Sequence, residues 1–207
     1  MDLRKRGIEF SVYFTSAFHL CQRWTDAIGF GAIPSVEFPQ ITPNYKILHL
    51  PKILSQMACK WTKRIVSLIT ELCSKRSRGN WCILVTALGD EEVKFIYNLL
   101  KHVTSDVAVI PLVRGITEYV RSILPKIKRP RVIIATAVAF TGMTFEKCDL
   151  VVSCGLTRRL KMNTVTGNPE LIDVLASKED LIQIAGRAGR DTNTGIVISL
   201  QEQSFQE

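Results

Sequence analysis

The chain has 207 residues, of which 46% are hydrophobic and 22% charged. That suits one domain, or one domain with an appendage, built around an apolar core. Its formal net charge of +8 favours an anionic partner, nucleic acid ahead of membrane. No apolar run approaches the roughly 18–20 residues that span a bilayer, so no membrane segment is expected.

The opening MDLRKRGIEFSVYF has no long apolar stretch and no A-x-A site, so no secretory signal is expected. The six cysteines (Cys21, Cys59, Cys73, Cys82, Cys148, Cys154) form no CxxC pair, and the three histidines lie far apart. Zinc is not expected, and free thiols in a reducing compartment are. Residues 1–34 are aromatic-rich and end in the turn-like GFGAIP.

From there short apolar runs alternate with helical patterns. YKILHL (45–50) reads as a strand. Over 52–74, Ile53, Met57, Trp61, Ile65, Leu68, Ile69 and Leu72 follow a 3.6-residue period and predict an amphipathic helix. WCILVTAL (81–88) is a β-rich run. GDEEVKFIYNLLKHV (89–103) places acids first and basic residues last, as a helix dipole favours.

VAVIPL (107–112) is the next strand, and EYVRSILPKI (118–127) a helix broken near Pro125. RVIIAT (131–136) and CDLVVSCG (148–155) read as buried strands. KEDLIQIAGRAGR (178–190) reads as one helix, with Ser177 and Asp180 in a capping-box spacing. GIVISL (195–200) closes the series. Alternating helices and continuously apolar strands predict an α/β fold, a mostly parallel sheet with helices on both faces.

The stretch QIAGRAGRD (183–191) carries chemistry. On a continuous helix Gln183, Arg187 and Arg190 fall at i, i+4 and i+7, on one face. Gly186 and Gly189 beside them cost about 1 kcal/mol each against alanine within a helix, which suggests close approach to the backbone.

Four stretches in order resemble the second RecA-like domain of DEAH/DExH-type superfamily 2 RNA helicases, over about residues 35–207. ILVTALGDEEV (83–93) is similar to their ILVFLTGQEEI element, and RVIIATAVAFTGMTF (131–145) to motif V. The run from VVSCG to QIAGRAGR resembles the stretch that ends in motif VI, and GIVISL the strand after it. Flavivirus and potyvirus helicases share this order, and TGMTF leans toward the viral type. Residues 1–34 are then an N-terminal segment or interdomain linker.

The resemblance implies a C-terminal motor domain. Arg187 and Arg190 would reach the phosphates of an ATP, or other NTP, held with Mg²⁺ on an N-terminal RecA-like domain, and Gln183 would help place the attacking water. A guanidinium fork suits the charge that develops on the γ-phosphate. Gly186 and Gly189 would admit the partner domain, and Gly142 and Thr144 face the NTP. Thr136 and Arg114 would contact the backbone of single-stranded RNA, DNA being second choice.

Two positions depart from the family pattern: Ile184 stands where arginine is usual, and Ala137 where Asp or Asn is usual. Basic clusters at Lys60–Arg64, Lys75–Arg78, Lys126–Arg131 and Arg158–Lys161 are either phosphate contacts or solvated surface. No GxxxxGK[ST] phosphate loop occurs in the sequence. Asp90, Glu91 and Glu92 read as helix N-terminal charges, not Mg²⁺ ligands, and no metal site is expected. The chain alone is therefore expected to be inactive, in the cytoplasm, or in a host's cytoplasm if viral. The alternative is a nucleic-acid-binding module without NTPase activity.

Overall fold

A computed structural model describes residues 45–49, 58–76, 79–102, 106–136, 143, 145–189 and 194–200. Residues 1–34, and 52–57 of the first expected helix, lie outside the described residues.

The elements in chain order are β1 (Tyr45–His49), α1 (Ala58–Lys75), β2 (Cys82–Ala87), α2 (Asp90–Leu100), β3 (Ala108–Leu112), α3 (Thr117–Ile123), β4 (Arg131–Thr136), β5 (Cys148–Ser153), β6 (Leu156–Met162), β7 (Pro169–Leu175), α4 (Lys178–Ala185) and β8 (Gly195–Ser199). Among the described residues, six strands form one sheet in the order β1-β8-β5-β2-β4-β3. Every neighbouring pair in it is parallel.

Parallel strands buried on both faces need apolar side chains at successive positions. β2 (CILVTA) and β4 (RVIIAT) meet this condition, with all six residues of each buried. Alternate residues then face opposite layers. Cys82, Leu84, Ile133, Ala135 and Val151 pack with Val120 of α3 and with Ile184 and Ala185 of α4. Ile83, Val85, Val132, Ile134, Leu150 and Val152 pack with Trp61, Ile65 and Ile69 of α1 and with Val93, Ile96 and Leu100 of α2. This is the expected sheet with helices on both faces.

Pro111 sits in β3, an edge strand, where a missing ladder donor is tolerated. The break near Pro125 is a 3₁₀ turn, Leu124–Lys126, that continues α3. Asp90, Glu91 and Glu92 occupy the first turn of α2. The capping box forms as expected: Ser177 Oγ accepts from the Asp180 N–H at 3.2 Å, and the Ser177 N–H donates to Asp180 Oδ2 at 3.0 Å.

Two expectations need correction. The helix expected over 178–190 ends at Ala185. The Arg187 and Ala188 N–H groups bond three residues back, to Ile184 and Ala185. Gly189 adopts φ 72°, a left-handed conformation that ends helices and suits glycine. Its N–H leaves the helix for the Cys148 carbonyl at 2.9 Å. Gln183 and Arg187 are therefore not successive positions on one helix face.

The second correction concerns 156–175, where no element was anticipated. β6 and β7 form a two-stranded antiparallel ribbon. Its turn is built by Asn163, whose side-chain oxygen accepts from the N–H groups of Val165 (2.8 Å) and Thr166 (3.1 Å). Gly167 at φ 69° completes the turn. Leu160, Met162, Val165 and Leu171 of this ribbon are exposed.

Candidate functional site

Because the large sheet is all parallel, the carboxyl ends of its strands share one edge, where ligands of open α/β sheets commonly bind. Thr136 ends β4 there, paired with Ala87 of β2. Arg114 lies just past the end of β3, the strand beside β4, at the start of a 3₁₀ turn. The two residues expected to touch RNA thus meet at the same edge on neighbouring strands. Arg114 is exposed, whereas Thr136 is only 6% exposed and offers a phosphate little surface. Thr86 stitches this edge together, its Oγ1 accepting from the Cys154 N–H at 3.2 Å.

α4 begins at this edge, where the Ala176 N–H donates to the Gly155 carbonyl. It runs back across the sheet, so that Gly189 reaches Cys148, the first residue of β5, at the opposite edge. Gln183 is exposed on α4. Arg187, past the end of α4, donates from Nη1 to the Met143 carbonyl at 2.7 Å. Met143 belongs to the segment that starts at Thr136 and crosses to Cys148. The first motif VI arginine is therefore held on motif V. Gly142, Thr144 and Arg190 lie outside the described residues.

A Cβ on Gly186 would stand 3.3 Å from the Ile182 carbonyl oxygen. The Gly189 N–H is committed to Cys148. A close backbone approach within the domain occurs at Gly195, where a Cβ would lie 2.6 Å from Ala188 C and from Gly189 N. The sequence signal was the glycine that opens GIVISL.

Several basic residues from the sequence clusters serve the fold. Arg76 pairs with Asp149 at 2.6 Å and lies over the Trp81 ring. Lys75 pairs with Glu71. Arg131 is 5% exposed and donates to the carbonyls of Ile127 (3.1 Å) and Glu146 (2.6 Å). Arg158 takes Asp173 through Nε at 2.8 Å and Glu92 at 3.3 Å, and Asp173 foremost holds its guanidinium above the usual range. Arg159 pairs with Asp180 at 2.8 Å.

Those contacts tie the ribbon to α2 and α4, and they occupy Glu92. Gly89 lets Arg158 in, because a Cβ there would stand 2.7 Å from Arg158 Nη1. Glu91 pairs with Lys94 at 2.7 Å. Lys126, Lys128 and Arg129 are exposed but precede β4, at the edge opposite Thr136. Among the described residues no group of three or more His, Cys, Asp or Glu could hold a metal ion. No helix among them is long and apolar enough to cross a membrane.

A parallel six-stranded sheet of RecA-like type, with a glycine-arginine segment docked on the segment after β4, defines the second domain of a superfamily 2 helicase. Residues 64–192 match the family described as the helicase conserved C-terminal domain, and the chain belongs to that family. The ATP-dependent RNA helicase HrpA of Borreliella burgdorferi is 28% identical over 167 residues, covering 78% of this chain and 20% of that protein. Escherichia coli HrpB, also an ATP-dependent RNA helicase, is 30% identical over 128 residues, covering 60% of this chain and 16% of its own.

The crystal structure of the Escherichia coli DEAH/RHA helicase HrpB superposes with a TM-score of 0.67 at 25% identity, covering 91% of this chain and 23% of that one. This chain spans about a fifth of the length of the curated relatives it matches. These relatives are bacterial, so the leaning toward a viral type gains no support from them.

Proposed function

We propose that this chain is the C-terminal motor half of an ATP-dependent RNA helicase of the DEAH type, with residues 1–34 as the segment leading into the domain and 35–207 as the domain itself. Arg187 and Arg190 act as fingers toward the β- and γ-phosphates, with Gln183 placing water. The observation that carries this reading is the Arg187 Nη1 bond to the Met143 carbonyl. It ties motif VI to the stretch that follows Thr136, the residue that ends β4 next to β3, the strand that leads into Arg114. A nucleotide that moves the arginine therefore pulls on the segment that touches RNA.

The donor set fits a triphosphate. Gln183, Arg187 and Arg190 include no carboxylate, so they suit phosphate oxygens and not a metal ion. With no phosphate loop in its 207 residues, the chain leaves the nucleotide cradle and the Mg²⁺ to an N-terminal RecA-like domain. Bound Mg-ATP supplies the phosphoryl group; this chain supplies positive charge opposite it and part of the RNA track. Such a protein works in a compartment where ATP and RNA coexist, the cytoplasm being the one proposed.

The test joins this chain to a RecA-like domain that carries a phosphate loop and measures ATP hydrolysis with and without single-stranded RNA. Strong stimulation supports the reading. Tight, salt-sensitive RNA binding with no stimulation assigns the chain to the alternative, a nucleic-acid-binding module without NTPase activity.

A further inference from the structure

Three side chains line up across the amino edge of the sheet. Cys82 opens β2, with Cys148 opposite it on β5 and Arg131 opposite it on β4. The β2–β5 register then slips, from Cys82↔Cys148 to Ile83↔Leu150, leaving Asp149 as an extra residue. In an unbroken pleat Cys148 would share its face with Leu150. The bulge turns Cys148 to the other face, where it packs with Cys82, Leu84 and Val151, while Leu150 packs with Ile83. Asp149 is thereby directed to Arg76.

The two cysteines are thus register partners on one face. Adjacent strands put Cα atoms about 4.7–4.9 Å apart, inside the roughly 4.4–6.8 Å that a disulfide spans. Cys82 and Cys148 are 0% and 1% exposed and both are free thiols, Cys148 Sγ donating to the Leu150 carbonyl at 3.6 Å.

Arg131 supplies an independent observation. Its Nη atoms donate to neutral acceptors: the carbonyls of Ile127 and Glu146, and Asn80 Oδ1 at 3.5 Å. Among the described residues no carboxylate pairs with it, and its Nε is buried without a hydrogen-bond partner. A buried cation without a counter-ion is costly. A thiolate at Cys82, on the next strand, would supply one.

The ionisation directions agree with this geometry. The Cys148 thiol first, and then the Arg131 charge, hold Cys82 below the usual thiol range against burial and against the charge of Asp149. The same partner and burial push Cys148 well above that range. Burial pushes Cys154 and Cys73 up as well. Arg131 also lines a cavity of about 210 Å³ with Leu124, Ile133, Met143 and Phe145, which neither cysteine lines.

We propose that Cys82 and Cys148 form a peroxide-responsive dithiol, with Cys82 the attacking sulfur and Cys148 the resolving one. The Cys82 thiolate attacks a peroxide oxygen; the O–O bond breaks, and the departing hydroxide takes the proton that Cys82 released. Cys148 then attacks the sulfenic sulfur; the S–O bond breaks, the hydroxyl leaves as water with the Cys148 proton, and the S–S bond forms. Two thiols and one hydrogen peroxide become one disulfide and two waters. The bridge forms at the residue whose carbonyl receives the Gly189 N–H. Any effect on hydrolysis rests on the proposed function; the thiol chemistry does not.

The experiment exposes the folded 207-residue chain to hydrogen peroxide and maps its peptides by mass spectrometry without reduction. The expected result is a Cys82–Cys148 linked pair, two hydrogens lighter, that dithiothreitol reverses. In Cys148→Ser, dimedone should trap a sulfenic acid at Cys82 about tenfold faster than at buried Cys154. In Cys82→Ser, Cys148 should stay unlabelled. Cys82 and Cys148 remaining reduced while Cys73 is oxidised, a bridge that forms only in denaturant, or labelling of Cys148 in Cys82→Ser equal to that of Cys82 in Cys148→Ser would each overturn the proposal.

Discussion

Gly195→Ala tests how motif VI is seated. The added Cβ would stand 2.6 Å from Ala188 C and Gly189 N and 2.7 Å from Ala188 Cβ, where ordinary contact starts at 3.4 Å. The two backbones must part by about 0.8 Å, the difference between 3.4 and 2.6 Å. Neither yields easily. β8 is paired on both sides, by β1 and β5. Gly189 is tied to Cys148, and Ala188 is buried.

Overpacking of this kind costs about 1–3 kcal/mol. At roughly 2–4 °C per kcal/mol for a domain of this size, the melting temperature should fall by about 2–12 °C. The Gly189 amide should also lose hydrogen-exchange protection, because its bond to Cys148 is what gives. Gly115→Ala is the control, since a Cβ there meets nothing within 4 Å. A Gly195→Ala protein that melts with the wild type and keeps the Gly189 amide protected would refute this account of the glycine-arginine segment.

Other substitutions separate the parts of the fold. Ile133→Ala empties a fully buried position of β4 and should cost about 2–5 kcal/mol in denaturant unfolding; a loss below 1 kcal/mol would contradict the packing. Ser177→Ala removes the acceptor for the Asp180 N–H and should cost about 1 kcal/mol, read by the same assay. Gly167→Ala forces a side chain into the left-handed region at about 1–2 kcal/mol. That strain should appear as faster exchange in the β6–β7 ribbon with the melting of the large sheet unchanged; a matching fall in the global transition would show that ribbon and sheet unfold together.

What the sequence made legible followed from burial on two faces. RVIIAT reads as a strand through its apolar run Val132–Ala135, and the observed limits, Arg131–Thr136, add one covered polar residue at each end. The ribbon is hard to read in the sequence because both of its faces are largely exposed and charged residues sit among its apolar ones. Arg158, Arg159 and Lys161 stood out as a basic cluster, while the turn signal in NTVTGNP lay between two exposed strands. Charge type also misled where burial decides: Arg131 and Arg76, each read as either a phosphate contact or solvated surface, are respectively covered and paired with Asp149.

At the site, periodicity carried the helix through Arg190, whereas the φ of Gly189 ends that geometry. Residue spacing gives no sign of backbone handedness at one glycine. The Arg187 bond to the Met143 carbonyl is a contact that no sequence pattern foretold.

The central claim is that the motif VI arginines act on a nucleotide held elsewhere. Single-turnover ATP hydrolysis, measured on this chain joined to a phosphate-loop domain, tests it most directly. Arg187→Ala and Arg190→Ala should each slow the step by roughly 10³-fold or more while ATP still binds, the scale of an arginine finger. Unchanged rates in both variants, or ATP turnover by the 207-residue chain alone, would contradict it.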